Sequence, residues 1–143
     1  MAWDSRLQLK AAGANQTAST SGTAIDLAIA TPNKGQLMEF RLFWTVLDRT
    51  TNDERYDIII EESSDNTNFR QVTQFRQLGV TALVDDAMTG INVNGRQMSR
   101  YGLVTQRYVR YRSVMAGTTP IMAFQINARG LDAVVPDVDR LSF

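Results

Sequence analysis

The side chains best equipped for chemistry in this sequence are carboxylates, and they stand in pairs. Asp53-Glu54, Glu61-Glu62 with Asp65 close behind, and Asp85-Asp86 are the groups that could share acid–base work. A glycosidase holds two such carboxyls across a cleft, about 5–5.5 Å apart in retaining enzymes and about 6.5–9.5 Å in inverting ones. Adjacent residues on a strand point to opposite faces, so Glu61 and Glu62 cannot form that dyad with each other. The run Glu62-Ser63-Ser64-Asp65-Asn66-Thr67-Asn68 offers the hard oxygen ligands that calcium takes. It lacks the Asp-x-Asn/Asp-x-Asn/Asp-Gly spacing of a dedicated loop, so a plain turn is expected.

Other chemistries are excluded by composition. The 143 residues contain no cysteine and no histidine. Thiolate nucleophiles, disulfides, Cys-based zinc sites, Ser-His-Asp triads and imidazole acid–base catalysis are all out of reach. Gly79, Gly90, Gly95 and Gly102 form no phosphate-cradling pattern and read as turn residues. No catalytic residue, metal or cofactor is expected, and the chain is read as a non-enzyme.

The remaining constellation is Arg107-Tyr108-Val109-Arg110-Tyr111-Arg112. Cations interleaved with aromatics occur in single-strand nucleic-acid binders. Here 15 Lys+Arg balance 15 Asp+Glu, whereas nucleic-acid binding is powered by a surplus of basic charge, so no direct nucleic-acid contact is expected. In a strand Arg110 and Arg112 share one face, which points to pairing with carboxylates across strands or across a subunit contact. Thirteen of the 15 basic residues are Arg, only Lys10 and Lys34 being Lys. Arg is the residue of protein interfaces, where its planar fork meets carboxylates bidentately.

The elements that must position these groups show a period of two. Leu37 to Leu47 places Met38, Phe40, Leu42, Trp44 and Val46 on one parity, and Arg55 to Glu62 places Tyr56, Ile58 and Ile60 on one side. With the polar loop 48–54 between them, these two strands read as a hairpin. Phe69 to Leu78 reads as a third strand. Residues 79–90 are irregular, with at most one helical turn at Asp85-Asp86-Ala87-Met88. Asn94-Gly95 is a hairpin turn signal. Leu103 to Met115 reads as the longest strand, and Gly117-Thr118-Thr119-Pro120 turns the chain into a last strand with Met122, Phe124 and Ile126 inward. No window sustains a helical apolar stripe. The fold class is therefore all-β, an antiparallel sandwich in one domain.

The ends differ from the middle. Residues 1–24 read as an N-terminal arm and 131–143 as a C-terminal tail around a sandwich domain spanning 25–130. Either the ends pair with the sheet of their own subunit or they dock on neighbours. Apolar runs of three or four residues are too short to span a membrane, and the first residues lack a secretory pattern, so no membrane partner is expected.

Three stretches in order, Gln16 to Leu27, Ile58 to Phe69 and Tyr108-Val109-Arg110-Tyr111-Arg112 with the following turn to Pro120, resemble the small jelly-roll cement (decoration) proteins of tailed-bacteriophage capsids. The resemblance covers most of residues 15–130, and its motifs are loose and mostly turn-like. It implies a jelly roll with extended arms, no catalytic residues, and a place on the outer surface of the virion capsid after synthesis in the bacterial host cytoplasm. The implied partners are the major capsid protein, whose adjacent subunits it would bridge against internal DNA pressure, and other copies of itself as a dimer or trimer. The expected partner-contacting residues are Trp3, Arg6, Leu7, Leu9, Arg107, Arg110, Arg112, Val135, Leu141 and Phe143. A phage tail or head–tail connector subunit, or a carbohydrate-binding sandwich on the virion surface, would have a similar sequence.

Overall fold

The computed structural model describes residues 7–27, 35–48, 50–51, 53–76, 78 and 96–131. Trp3, Arg6, Val135, Leu141 and Phe143, the pair Asp85-Asp86 and the Asn94-Gly95 turn lie outside them. The described chain is built of strands: β1 (Gln8–Lys10), β2 (Thr20–Ser21), β3 (Ile25–Asp26), β4 (Gln36–Leu47), β5 (Arg55–Ser63), β6 (Arg70–Phe75), β7 (Arg96–Val104), β8 (Tyr108–Ala116) and β9 (Met122–Gly130). One sheet runs β1-β9-β4-β7 and the other β2-β8-β5-β6, with β3 also on β8.

β2 and β3 meet β8 at successive registers, Thr20 opposite Ser113 and Ile25 opposite Val109, so they form one interrupted strand along a single edge. Gly22 bridges the interruption and donates its N–H to the Tyr111 carbonyl at 3.0 Å. A Cβ there would stand 2.3 Å from the Tyr111 ring, so only glycine fits. Taken this way, the pairings nest: β1 with β9, β2/β3 with β8, β4 with β7, β5 with β6. That is a hairpin rolled on itself into two facing sheets, the jelly-roll topology.

The core lies between the sheets. Phe40, Leu42, Trp44, Tyr56, Ile58, Ile60, Phe75, Phe124 and Ile126 fill it, none more than 2% exposed. Each aliphatic or aromatic side chain taken from water contributes about 1.5–3 kcal/mol before entropy is charged. Tyr111 meets Phe124 edge-on across the core at 5.7 Å between ring centroids. Trp44 belongs to this core, as its parity predicts.

Three expectations from the sequence are corrected. β4 and β5 are not a hairpin, because loop 48–54 carries the chain from one sheet to the other. Tyr56 fixes the crossing: its hydroxyl donates to the Asp48 carbonyl at 2.6 Å and accepts the Ile121 N–H at 2.9 Å. Leu103–Met115 is not one strand, since β7 ends at Val104 and β8 begins in the opposite sheet at Tyr108. The Glu62 carboxylate takes the N–H groups of Thr105 and Gln106 at 2.8 and 3.1 Å, diverting backbone donors that a continuous strand would use in its ladder. A register shift between Trp44 and Val46 breaks the inward parity of β4, so Leu47 is fully buried and Val46 only half-buried. Of the two alternatives open for the N-terminal segment, its described part shows pairing with the sheets of its own subunit. β1 extends one sheet, β2 the other, and Gln16 bridges to Met122.

Candidate interaction face

Three of the charged residues singled out in the sequence, Glu61, Arg110 and Arg112, converge on the solvent face of the β2-β8-β5-β6 sheet. Register sets Glu61 opposite Arg110 and Ile59 opposite Arg112. The inward positions of these strands are Ile58, Ile60, Val109, Tyr111 and Ser113, so Arg110 and Arg112 must point outward. Both lean over one acid. Arg110 Nε donates to Glu61 Oε2 at 2.9 Å, and Arg112 Nε donates to Glu61 Oε1 at 2.7 Å. Although it stands on an outer face, Glu61 is only 6% exposed, because the two side chains roof it over.

The roof carries net positive charge. Two guanidinium groups share one carboxylate, and Arg stays protonated at any working pH. The Arg110 guanidinium carbon lies 3.7 Å from the centroid of the Phe69 ring, so its plane is fixed by an aromatic floor as well as by Glu61. Among the described residues the terminal nitrogens of Arg110 and Arg112 have no partner. The Arg110 and Arg112 side chains are 27% and 41% exposed, which leaves their guanidinium groups open to carboxylates of another molecule. Beside Arg112 a hollow of about 350 Å³ is lined by Ser19, Thr20, Ser21, Ser113 and Val114.

The other expected site residues are placed differently. Arg107 makes a bidentate pair with Asp26, at 2.7 and 2.8 Å, which raises its pKa and clips β3 to the start of β8. Leu9 is 7% exposed within the protein's own core and Leu7 packs against that core. Leu9 is thus an anchor within the subunit, because β1 pairs with β9 of the same chain and turns Leu9 inward.

The acidic pairs have separate, structural tasks. Glu62 receives Arg70 Nε at 2.8 Å besides the Thr105 and Gln106 amides, so Glu61 and Glu62 serve different partners. In the 62–68 turn, Asp65 Oδ1 accepts the N–H groups of Thr67 and Asn68 at 2.9 and 2.8 Å, and Oδ2 accepts Asn68 Nδ2 at 2.8 Å. The backbone amide of Asn68 and its fellow donors hold the Asp65 pKa well below the usual carboxylate range. Asp53 receives Thr51 Oγ1 at 2.6 Å and the Thr118 N–H and hydroxyl at 3.0 and 2.7 Å. These oxygens are spent on loop closure. Among the described residues no three Asp or Glu side chains gather in a way that could hold a metal ion.

No protein-family model and no curated protein matches the chain. Solved structures similar to it include the PBSX exported protein XepA, at 18% identity and a TM-score of 0.48, over 86% of this chain and 35% of that one. Dimeric latent PorU from Porphyromonas gingivalis is similar at 10% identity and a TM-score of 0.47, over 90% of this chain and 12% of that one. The K3 cleaved adhesin domain of Lys-gingipain from Porphyromonas gingivalis is similar at 11% identity and a TM-score of 0.41, over 77% of this chain and 62% of that one. The chain thus spans about a third of the length of XepA and about an eighth of that of PorU.

Sequence reasoning missed two members of the arginine face. Glu61 is read there as half of an acidic pair and Phe69 as a strand residue. The usable signal was a Glu on the outward parity of β5, one strand spacing from arginines of the same parity on β8.

Proposed function

We propose that this chain is a virion structural protein of a tailed phage, bound to the outside of the capsid, where it bridges adjacent major capsid protein subunits and stabilises the shell against internal DNA pressure. The observation that carries this reading is the pair Arg110 and Arg112, tethered by Nε to the buried Glu61 while their side chains stay partly exposed. Such arginines have lost most of their rotamer freedom before any partner arrives, so a contact repeated over a lattice loses less entropy per copy. The jelly-roll strand order agrees with the fold that the sequence resemblance implies.

An exposed apolar cluster adds to the case for a contact protein. Leu37, Tyr101 and Leu103 are 47%, 57% and 57% exposed, and Leu37 and Leu103 are register partners on β4 and β7. Contact with further copies of the chain, as dimer or trimer, belongs to this proposal, as do the absence of catalysis and of direct nucleic-acid or membrane contact.

The test is binding of purified chain to capsids that lack it. The double substitution Arg110→Ala with Arg112→Ala is expected to weaken capsid occupancy at least about tenfold, since desolvated charge pairs at interfaces are worth more than 1.4 kcal/mol. Occupancy and shell melting temperature equal to wild type would overturn the proposal.

A further inference from the structure

The solvent face of the opposite sheet holds a different constellation. Register sets Phe43 between Gln97 on β7 and Gln125 on β9, and sets Arg41 between Ser99 and Asn127 in the next row. Phe43 points to solvent because its neighbours Leu42 and Trp44 point inward, at 0% and 2% exposure. Arg41, Phe43, Gln97, Gln125 and Asn127 line a hollow of about 310 Å³.

Adjacent strands lie about 4.8 Å apart, so the two glutamines flank the ring at a separation of about 10 Å. Each primary amide offers two N–H donors and a carbonyl acceptor. Among the described residues the amides of Gln97 and Gln125 have no hydrogen-bond partner. Asn127 is oriented by Gln8, whose Nε2 donates to Asn127 Oδ1 at 3.1 Å, which turns the Asn127 N–H groups toward other acceptors. Arg41 is tethered at the margin by Glu39, at 3.4 Å.

We propose that this hollow is a saccharide-binding site, with one pyranose ring stacked on Phe43 and its hydroxyls on Gln97, Gln125 and Asn127. A pyranose combines an apolar C–H face with a rim of hydroxyls that both give and accept hydrogen bonds. The negative face of an aromatic ring suits the C–H groups. Neutral amides suit the rim, because they give and accept as well. A purely apolar occupant would bury those amides unpaired, which is costly. Among the described residues lining the hollow, Arg41 is the one cation, and it is already engaged by Glu39, so a carboxylate-bearing occupant gains less here than a neutral one. The inference goes beyond the capsid reading and does not rest on it, since this face and the arginine face belong to different sheets.

The experiment titrates the full, ¹⁵N-labelled chain with free glucose, galactose, mannose, N-acetylglucosamine and rhamnose at millimolar concentration, observing the side-chain amide resonances by NMR. At least one sugar is expected to move the Gln97 and Gln125 signals saturably. Phe43→Ala, and separately Gln97→Ala with Gln125→Ala, are expected to raise the Kd at least about tenfold, equivalent to 1.4 kcal/mol. Two outcomes would overturn the proposal: no sugar moves these signals, or the Kd read from backbone amide resonances of the hollow is unchanged in both variants of a folded protein.

Discussion

Glu39 and Glu61 stand on opposite outer faces of the sandwich, yet each is buried beneath a pair of arginines. Glu39 is 2% exposed and is held by Arg129 at 2.6 Å and by Arg41 at 3.4 Å, while Glu61 is 6% exposed under Arg110 and Arg112. Burial alone raises the Glu39 pKa, but the hydrogen bond from Arg129 and the charges of both arginines outweigh it and leave the pKa lowered. In each sheet an outward acid thus gathers two long side chains into a flat, cationic cover. The covers differ in use: one carries terminal nitrogens with no partner among the described residues, and the other borders the amide-lined hollow.

Glu61→Gln removes the charge that Arg110 and Arg112 share. Breaking a buried ion pair costs about 3–5 kcal/mol, and the partial exposure of these arginines reduces the expected loss to about 1–3 kcal/mol. Urea unfolding checks this. A loss under about 0.5 kcal/mol, the level of an ordinary surface substitution, would show that water already solvates the pair.

Tyr56→Phe removes a hydroxyl that bonds the two loops entering the core. The Ile121 N–H loses its acceptor and the Asp48 carbonyl loses a donor. The expected cost is about 1–3 kcal/mol, because the groups left behind are partly buried. Thermal unfolding monitored by near-ultraviolet circular dichroism reads it. An unchanged melting temperature would mean that water replaces the hydroxyl.

Gly117→Ala should destabilise more than an ordinary surface change. Gly117 has φ +100°, and a Cβ there would stand 2.4 Å from the Asp53 carbonyl oxygen, a backbone atom that cannot swing away. The expected loss is at least about 2 kcal/mol, and it is specific to the turn. Gly13→Ala is the control, since a Cβ there meets nothing within 4 Å. Equal stability of the two variants would contradict this account.

Acid should loosen the clasp between loop 48–54 and the turn at 117–119. Hydrogen bonds from Thr51 and then Thr118 lower the Asp53 pKa from its ordinary 3.8 to about 2. The folded state therefore binds this proton less readily than the unfolded state. Its contribution is fully present above the ordinary value and is lost as pH falls through about 2. Asp53→Ala should melt lower than wild type at pH 6, with the gap closing by pH 2. A gap that stays constant over that range would exclude Asp53 as the titrating group.

The strands were legible because period-two alternation is a local signal. Met38, Phe40, Leu42 and Trp44, then Tyr56, Ile58 and Ile60, then Met122, Phe124 and Ile126 are buried as their parity requires. The bulge at Trp44/Val46 was not, because it depends on a register with β9, some eighty residues away in the sequence. The arginines were legible as outward and pairing. Their shared acid was not, since the choice among Glu61, Glu62 and a partner's carboxylate depends on which strand lies beside β8.

What the sequence determined by itself is the all-β class, the inward faces of the strands and the absence of thiol and imidazole chemistry. Each follows from residue type or from neighbours two positions apart. Only the tertiary structure decided that loop 48–54 crosses between sheets, that Val104 and Tyr108 end and begin different strands, and that Leu9 anchors its own subunit. Those outcomes rest on backbone and side-chain partners far apart in the chain, such as Tyr56 with Ile121 and Glu62 with Thr105. A strand's alternation is the same whichever sheet it joins, so sheet membership is settled by long-range contacts that local pattern does not encode.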